Sequence, residues 1–198
     1  CSESCIRARL SAADPQRFLE LADAHRQADP AFACWAAGYG GIRHDPLTQL
    51  RVRQMVHELV ALGRTPDAGT AWQRLAAADR VTSAGMWLVA HMTYSQRVRT
   101  DGAALEVDDF KTTPEGHTGG SLNMVPAYAG YLLMDSLDGV TRAWMMGQGH
   151  CVAAIDALNV LVGNMTDRHA ERYDRTGEGL SRFVSDFYAY TLNPDGTP

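Results

Sequence analysis

Two short motifs in the sequence combine glycine with histidine where a loop is expected to meet a helix. The first is Gly116-His117-Thr118-Gly119-Gly120-Ser121, and the second is Gly147-Gln148-Gly149-His150. Glycines let backbone N–H groups approach a ligand closely, and a helix N-terminus favours anions such as phosphate. Because the same helix end disfavours positive charge, a neutral imidazole is expected there, able to exchange a proton with a substrate hydroxyl. His117 and His150 are therefore the candidate acid–base residues.

Each motif alone is a weak signal, because glycine before histidine is common and such a histidine can serve only as a cap or a packed side chain. Two of them in one chain, the second directly after a predicted strand, strengthen the functional interpretation. The remaining histidines have simpler interpretations. His25, His57 and His169 lie beside charged residues on predicted helices and are expected at the surface, whereas His91 is expected in a core.

The elements that must position these motifs are mostly helices. Asp14-Pro15, Asp45-Pro46 and Thr65-Pro66 are start signals, because a capping side chain precedes a proline whose missing N–H does no harm in the first turn. Apolar residues at helical spacing predict four further helices: over about 79–98, up to about Leu137 with Pro126 in its first turn, from Val152 to a stop at Gly163, and from about Thr176 onwards. Residues 31–42 and 99–113 are predicted to be loops.

One segment, residues 142–146, is a short apolar run and the best strand candidate in the chain. The resulting order of helix, strand, glycine turn and helix is typical of α/β folds, in which ligands bind at the carboxyl ends of the strands. One strand cannot form a sheet, so either further strands are unrecognised or the sheet is completed outside this chain. The predicted fold class is therefore α/β, mostly helical, with few parallel strands in this segment.

The bulk composition limits the functional classes. The 198 residues carry a formal net charge of −5, with 18 Lys and Arg against 23 Asp and Glu. A nucleic-acid-binding protein needs a basic excess and is not expected. No apolar run approaches the roughly 20 residues that cross a bilayer, so no membrane partner is expected either. The four cysteines, Cys1, Cys5, Cys34 and Cys151, form no Cys-x-x-Cys pair and indicate the reduced thiols of a cytoplasmic protein.

The two motifs together resemble those of a known enzyme family. Gly116-His117-Thr118-Gly119 resembles the Gly-His-x-Gly motif of transketolases and phosphoketolases, which use thiamine diphosphate. Gly147-Gln148-Gly149-His150 resembles the Gly-Pro-Gly-His element of phosphoketolases and the Asn-Gly-His element of transketolases. The likeness covers about residues 79–190 and favours the phosphoketolase-like branch. It implies a partial thiamine-diphosphate-binding fold, with 1–78 as a helical amino-terminal extension and 79–198 as the first part of the pyrophosphate-type domain.

This resemblance also implies an activity and residue roles. The enzyme would cleave a ketose phosphate, xylulose 5-phosphate or fructose 6-phosphate, with thiamine diphosphate and Mg²⁺ as cofactors. His117 and His150 would be catalytic residues that contact substrate hydroxyls. Two basic residues earlier in the chain, Arg43 and His44, would bind the sugar phosphate. The glycines of the two motifs would shape the cofactor-side loops: Gly116, Gly119, Gly147 and Gly149.

Part of what thiamine chemistry needs is missing from the sequence. The family's Gly-Asp-Gly motif, which holds the diphosphate and Mg²⁺, does not occur, and the glutamate that activates the cofactor belongs to a second domain. We therefore expect no metal ligands in this segment and no activity from it alone. The full-length parent is expected to be a cytoplasmic homodimer. The alternatives are a transketolase-like transferase, a sugar-phosphate epimerase, and a non-catalytic helical interaction domain.

Overall fold

A computed structural model describes residues 15–189, and the regular structure within that range is helical. Two 3₁₀ turns, Val107–Asp109 and Gly149–Cys151, accompany the α-helices. No helix in the described range has both the length and the apolar character needed to span a membrane. In chain order the α-helices are α1 (Pro15–Ala28), α2 (Pro30–Ala36), α3 (Pro46–Ala61), α4 (Ala68–Tyr94), α5 (Thr118–Asp138), α6 (Val152–Val162), α7 (Asp167–Arg172) and α8 (Gly177–Asp186).

The predicted α/β class is wrong, because residues 15–189 contain two isolated bridges but no strand and no sheet. The strand candidate at 142–146 is an extended connection that packs on α5. The Tyr131 hydroxyl donates to the carbonyl oxygen of Arg142. The Trp144 ring lies against Tyr128 and Tyr131, with centroid distances of 5.4 and 5.2 Å. Contact with a helix therefore takes the place of a sheet for Trp144, while Met145 of the same run stays exposed.

This connection joins two helices that run in the same direction. A Cβ on Gly120 in the first turn of α5 would lie 2.7 Å from the Cys151 sulfur just before α6. Farther along, the Tyr128 hydroxyl donates to Oδ1 of Asn159 at 3.0 Å. The beginning of α5 therefore lies beside the beginning of α6, and later residues also face each other. Because consecutive parallel helices require the chain to return along the first one, an extended segment is needed between them.

The chain divides into two compact units, Cys1–Ala76 and Ala77–Pro198. The described core of the first unit is aromatic: Phe32 and Trp35 of α2 lie 5.2 and 5.4 Å from the Trp72 ring between centroids. In the second unit, α6 packs through small side chains and Leu158. A Cβ on Gly85 of α4 would lie 2.8 Å from Leu158 Cδ2, so glycine allows this close approach.

The helix starts at Asp45-Pro46 and near Thr176 are confirmed, whereas the start at Thr65-Pro66 is wrong, because Asp67 caps α4 and this helix begins at Ala68. Asp45 Oδ1 accepts the Thr48 N–H at 3.1 Å before α3, and Thr176 Oγ1 accepts the Gly179 N–H at 3.1 Å before α8. The expected stop at Gly163 is also confirmed, since this residue is left-handed with φ 76° and caps α6. Asp14 of the first signal lies outside the described residues.

Helix boundaries differ from the prediction at further points. Residues 31–36 are helical rather than loop, because Asp29 Oδ1 accepts the N–H groups of Ala31 and Phe32 at 3.0 and 3.1 Å and so begins α2. The helices expected on either side of Asp79 are the single helix α4, since no glycine or proline interrupts residues 70–84. Pro126 lies inside α5 rather than in its first turn, because α5 already begins at Thr118.

Candidate functional site

His117 begins α5 and acts as its cap. Its Nδ1 accepts the backbone N–H of Gly120 at 2.9 Å, which satisfies one of the donors that a helix start leaves free. The Thr118 hydroxyl lies 3.1 Å from the hydroxyl oxygen of Thr93 on α4 and forms a hydrogen bond with it. The imidazole is therefore held to its own helix by the cap, and the helix start is held to α4.

Gly116 fits the loop before His117 in a way that other residues would not. Its φ is +124°, in the region that favours glycine, and a Cβ there would lie 3.1 Å from Phe187 Cε1 and 3.2 Å from Thr93 Oγ1. The loop is also held by Lys111, whose Nζ donates to the carbonyl oxygens of Met92 and Phe187 at 2.8 and 2.7 Å. Burial lowers the pKa of Lys111, and the charges of Asp186 and Glu115 oppose that change.

His150 meets His117 at the surface of the second unit. His150 lies in the 3₁₀ turn that leads into α6, and the two imidazole centroids are 4.5 Å apart with the rings at 67°. Both side chains are exposed. The structure thus brings together the two histidines that the sequence singled out, at the adjacent starts of two parallel helices.

Gly120 is a residue whose importance the sequence analysis missed. A Cβ at this position would lie 2.6 Å from His117 Nδ1 and 2.7 Å from Cys151 Sγ. The Cys151 thiol is free and buried. The close packing of imidazole, thiol and backbone therefore requires glycine at 120. The adjacent glycines Gly119 and Gly120 were the available signal in the sequence, but the sequence does not reveal which of them lacks room for a side chain.

The other motif glycines are not confined in this way. A Cβ on Gly119, Gly147 or Gly149 would meet no atom within 4 Å, and none of the three has a left-handed φ. No contact within the described protein therefore requires glycine at these positions. Open space beside a backbone is compatible with close approach by a ligand, and the predicted cofactor-side role of these three residues stays a prediction.

Arg43 and His44 belong to the first unit, whereas the histidine pair belongs to the second. Arg43 Nη1 donates to the carbonyl oxygens of Gly40 and Ile42 at 2.8 and 2.9 Å, which ties the guanidinium to its own turn. The His44 ring stacks on Trp35, with centroids 4.4 Å apart and planes at 26°. Both side chains are therefore engaged locally, and their phosphate-binding role stays a prediction.

The cap indicates which proton His117 carries. A nitrogen that accepts a hydrogen bond has no proton of its own, so Nδ1 is the bare nitrogen and the neutral ring carries its proton on Nε2. Nε2–H is then a fixed donor for an oxygen atom placed above the pair. Within residues 15–189 the His150 ring contacts the His117 ring but forms no hydrogen bond, so no hydrogen bond selects one of its tautomers.

The described residues do not fit the diphosphate end of thiamine diphosphate. That group is held through Mg²⁺, which prefers carboxylate and other oxygen ligands. No three His, Cys, Asp or Glu side chains in residues 15–189 are arranged to hold a metal ion. The histidine pair instead offers polar contacts suited to a substrate. Searches with the chain found no matching family model, no matching curated protein and no matching solved structure.

Proposed function

We propose that this chain carries the substrate-facing histidine pair of a phosphoketolase-like, thiamine-diphosphate-dependent enzyme that cleaves a ketose phosphate. The observation that carries the proposal is the 4.5 Å separation of the His117 and His150 rings, which come from two motifs far apart in sequence. The resemblance requires these two imidazoles to share one site, and an arrangement on opposite sides of the unit would have excluded it.

The helix arrangement supports a phosphorylated substrate. The starts of α5 and α6 lie beside each other, so the partial positive charges of two parallel helices act on the same region. Free backbone N–H groups at helix starts bind phosphate and other anions. A sugar phosphate supplies such an anion together with hydroxyl groups for the imidazoles.

The two histidines have different roles in this proposal. His117 donates its Nε2–H to a substrate oxygen and holds that oxygen in place, because the cap commits Nδ1 to the Gly120 N–H. His150, whose ring forms no hydrogen bond within residues 15–189, takes up and returns a proton at a substrate hydroxyl. The cofactor and Mg²⁺ are held mainly by residues outside 15–189, and the motif glycines Gly116, Gly119, Gly147 and Gly149 shape the loops on the cofactor side. Within the proposal, the complete enzyme is a cytoplasmic homodimer.

A substrate titration tests the pair in the chain as it stands. Xylulose 5-phosphate is added to the protein while the ring signals of its histidines are followed by NMR. We expect the His117 and His150 signals to move together, while exposed His57 on α3 serves as the internal control. Signals from the pair that stay still, or move no more than those of His57, would contradict the proposed substrate contact.

An activity assay of the full-length parent enzyme distinguishes the alternatives. Release of acetyl phosphate from xylulose 5-phosphate and inorganic phosphate identifies a phosphoketolase, whereas transfer of a two-carbon unit to an aldose phosphate identifies a transketolase. Isomerisation without cleavage identifies an epimerase, and the absence of all three supports an interaction domain. His150→Ala is expected to lower turnover by a factor of about 100 or more, as for loss of an acid–base group. Unchanged turnover would remove His150 from the proposed site.

A further inference from the structure

A cavity of about 420 Å³ lies between α6, α7 and α8 in the second unit. Its volume is in the range of sites that bind small molecules, roughly 300–1,000 Å³. The lining combines carboxylates, neutral polar groups and aromatic rings. Among the lining residues are Asp156, Asn159, His169, Tyr173, Phe183 and Asp186.

Asp156 contributes a carboxyl group to this cavity. It lies on α6, is largely buried, and forms no hydrogen bond with the residues that the structure describes. Burial raises the pKa of Asp156 to about 6, and the neighbouring charge of His169 opposes that rise. A desolvated carboxylate without donors is unfavourable, so a ligand that brings both positive charge and N–H groups would be held there.

The second carboxylate of the cavity is already satisfied. Asp186 Oδ2 accepts hydrogen bonds from Arg172 Nε and Nη2 at 3.0 and 2.6 Å and from the Tyr173 hydroxyl at 2.9 Å. The positive charge of Arg172 is thereby committed to Asp186. Above its pKa, the Asp156 carboxylate therefore has no cation hydrogen-bonded to it among the described residues, which disfavours an anionic ligand beside it and favours a cationic one.

Aromatic rings also line this cavity. Tyr173 and Phe183 meet edge to face, with centroids 5.5 Å apart, and His169 lies 6.2 Å from Tyr173. Aromatic faces attract organic cations, and they cover the apolar part of a ligand. Phe187, another ring of this lining, already has the Lys111 ammonium 5.7 Å from its centroid. An ammonium compound with an apolar body thus matches the carboxylate and the aromatic rings of the lining.

We propose that this cavity binds a small organic ammonium compound, whose charged nitrogen pairs with the Asp156 carboxylate and whose apolar part contacts Tyr173 and Phe183. The neutral groups beside the carboxylate, such as Asn159, remain available for a polar substituent of the ligand. This site uses none of the histidine pair, and it does not depend on the proposed cleavage of a ketose phosphate.

The test compares two probes of similar size, benzylammonium and benzyl alcohol, in calorimetric and NMR titrations of the full chain at pH 7.5. We expect benzylammonium to bind with a dissociation constant on the order of 1 mM and the alcohol at least about tenfold more weakly. The NMR shifts should centre on α6, α7 and α8. Equal affinity of the two probes, or no ammonium binding up to about 10 mM, would overturn the proposal.

Two variants test whether the Asp156 carboxylate is the group that binds the ammonium probe. Asp156→Asn keeps the side-chain shape and is expected to abolish the preference for the ammonium probe. Glu171→Gln removes an exposed charge from α7 and should preserve that preference. In the unsubstituted protein, lowering the pH from 7.5 to 5 protonates Asp156 while benzylammonium stays charged, so affinity for this probe should fall several-fold. A preference that survives Asp156→Asn, or an affinity independent of pH, would contradict the assignment.

Discussion

The packing around His117 predicts opposite effects for two alanine substitutions at adjacent glycines. Gly119→Ala places its Cβ in open space, with no atom within 4 Å. Gly120→Ala places its Cβ 2.6 Å from His117 Nδ1 and 2.7 Å from Cys151 Sγ. Both residues lie in the first turn of α5, so their surroundings differ far more than their backbone conformation.

The magnitudes follow from these contacts. Gly119→Ala should change the free energy of unfolding by between zero and about +1 kcal/mol, because alanine is the better helix former. Gly120→Ala forces the imidazole away from the Gly120 N–H, which removes a cap of about 1 kcal/mol, and strain against the buried thiol adds about 1 kcal/mol or more. The two variants should therefore differ by about 2–3 kcal/mol.

Urea denaturation of the two variants measures this difference, and ¹⁵N NMR of the imidazoles reports on the ring itself. In the unsubstituted protein and in Gly119→Ala, the His117 signals should show a bare Nδ1 and a protonated Nε2. In Gly120→Ala that tautomer preference should be lost. If the variants are equally stable and the His117 signals do not change, the cap and the close packing derived above are wrong.

Substitutions at three further positions, His117, Gly85 and Asp156, test other parts of the structure. His117→Asn should keep the helix cap, and its free energy of unfolding in urea should stay within about 0.5 kcal/mol of the unsubstituted protein, whereas His117→Ala should lose about 1 kcal/mol. Both variants should abolish the substrate-induced NMR shift of the remaining His150 signals. Gly85→Ala adds a Cβ 2.8 Å from Leu158 Cδ2 and should lower the thermal midpoint, with a cost of about 1–3 kcal/mol. Asp156 has its pKa raised from 3.8 to about 6, so the folded chain binds a proton that the unfolded chain releases; its contribution is most favourable at low pH and is lost as the pH rises through about 6. Asp156→Asn should therefore stabilise the protein at pH 7 by about 1–3 kcal/mol and by less at pH 5 in urea denaturation, with Glu171→Gln as the unaffected control.

Some helix starts could be predicted from a capping side chain next to a proline. Asp45-Pro46 predicted α3 because one local hydrogen bond and one fixed dihedral angle are enough to begin a helix. Asp29-Pro30 has the same form, yet the small and glycine-rich residues after it masked the signal for α2. The continuity of α4 was missed for a different reason, since nothing local marks the absence of a break.

The contacts around the histidine pair depend on tertiary structure and were beyond sequence reasoning. The sequence shows that Gly120 follows a histidine, but not that the Cys151 sulfur lies against it. The same holds for Asp156, which looks in the sequence like an ordinary residue on a helix surface but lines a cavity beside residues of α7 and α8 and is largely buried there. The burial of a single carboxyl group cannot be predicted from the neighbouring residues in the sequence.

The wrong fold class and the correct pairing of the histidines have one physical origin. The 21 residues of α5 extend for about 31 Å, and the roughly ten residues that follow can cover about 33 Å when extended. The chain therefore returns along α5 and begins α6 beside the start of α5, as a strand returns the chain in an α/β unit. Period and composition reveal this extended return, but they do not distinguish a strand partner from the rings of Tyr128 and Tyr131 as its support. His117 and His150 depend only on the return itself, so they meet whether a sheet or a helix covers it.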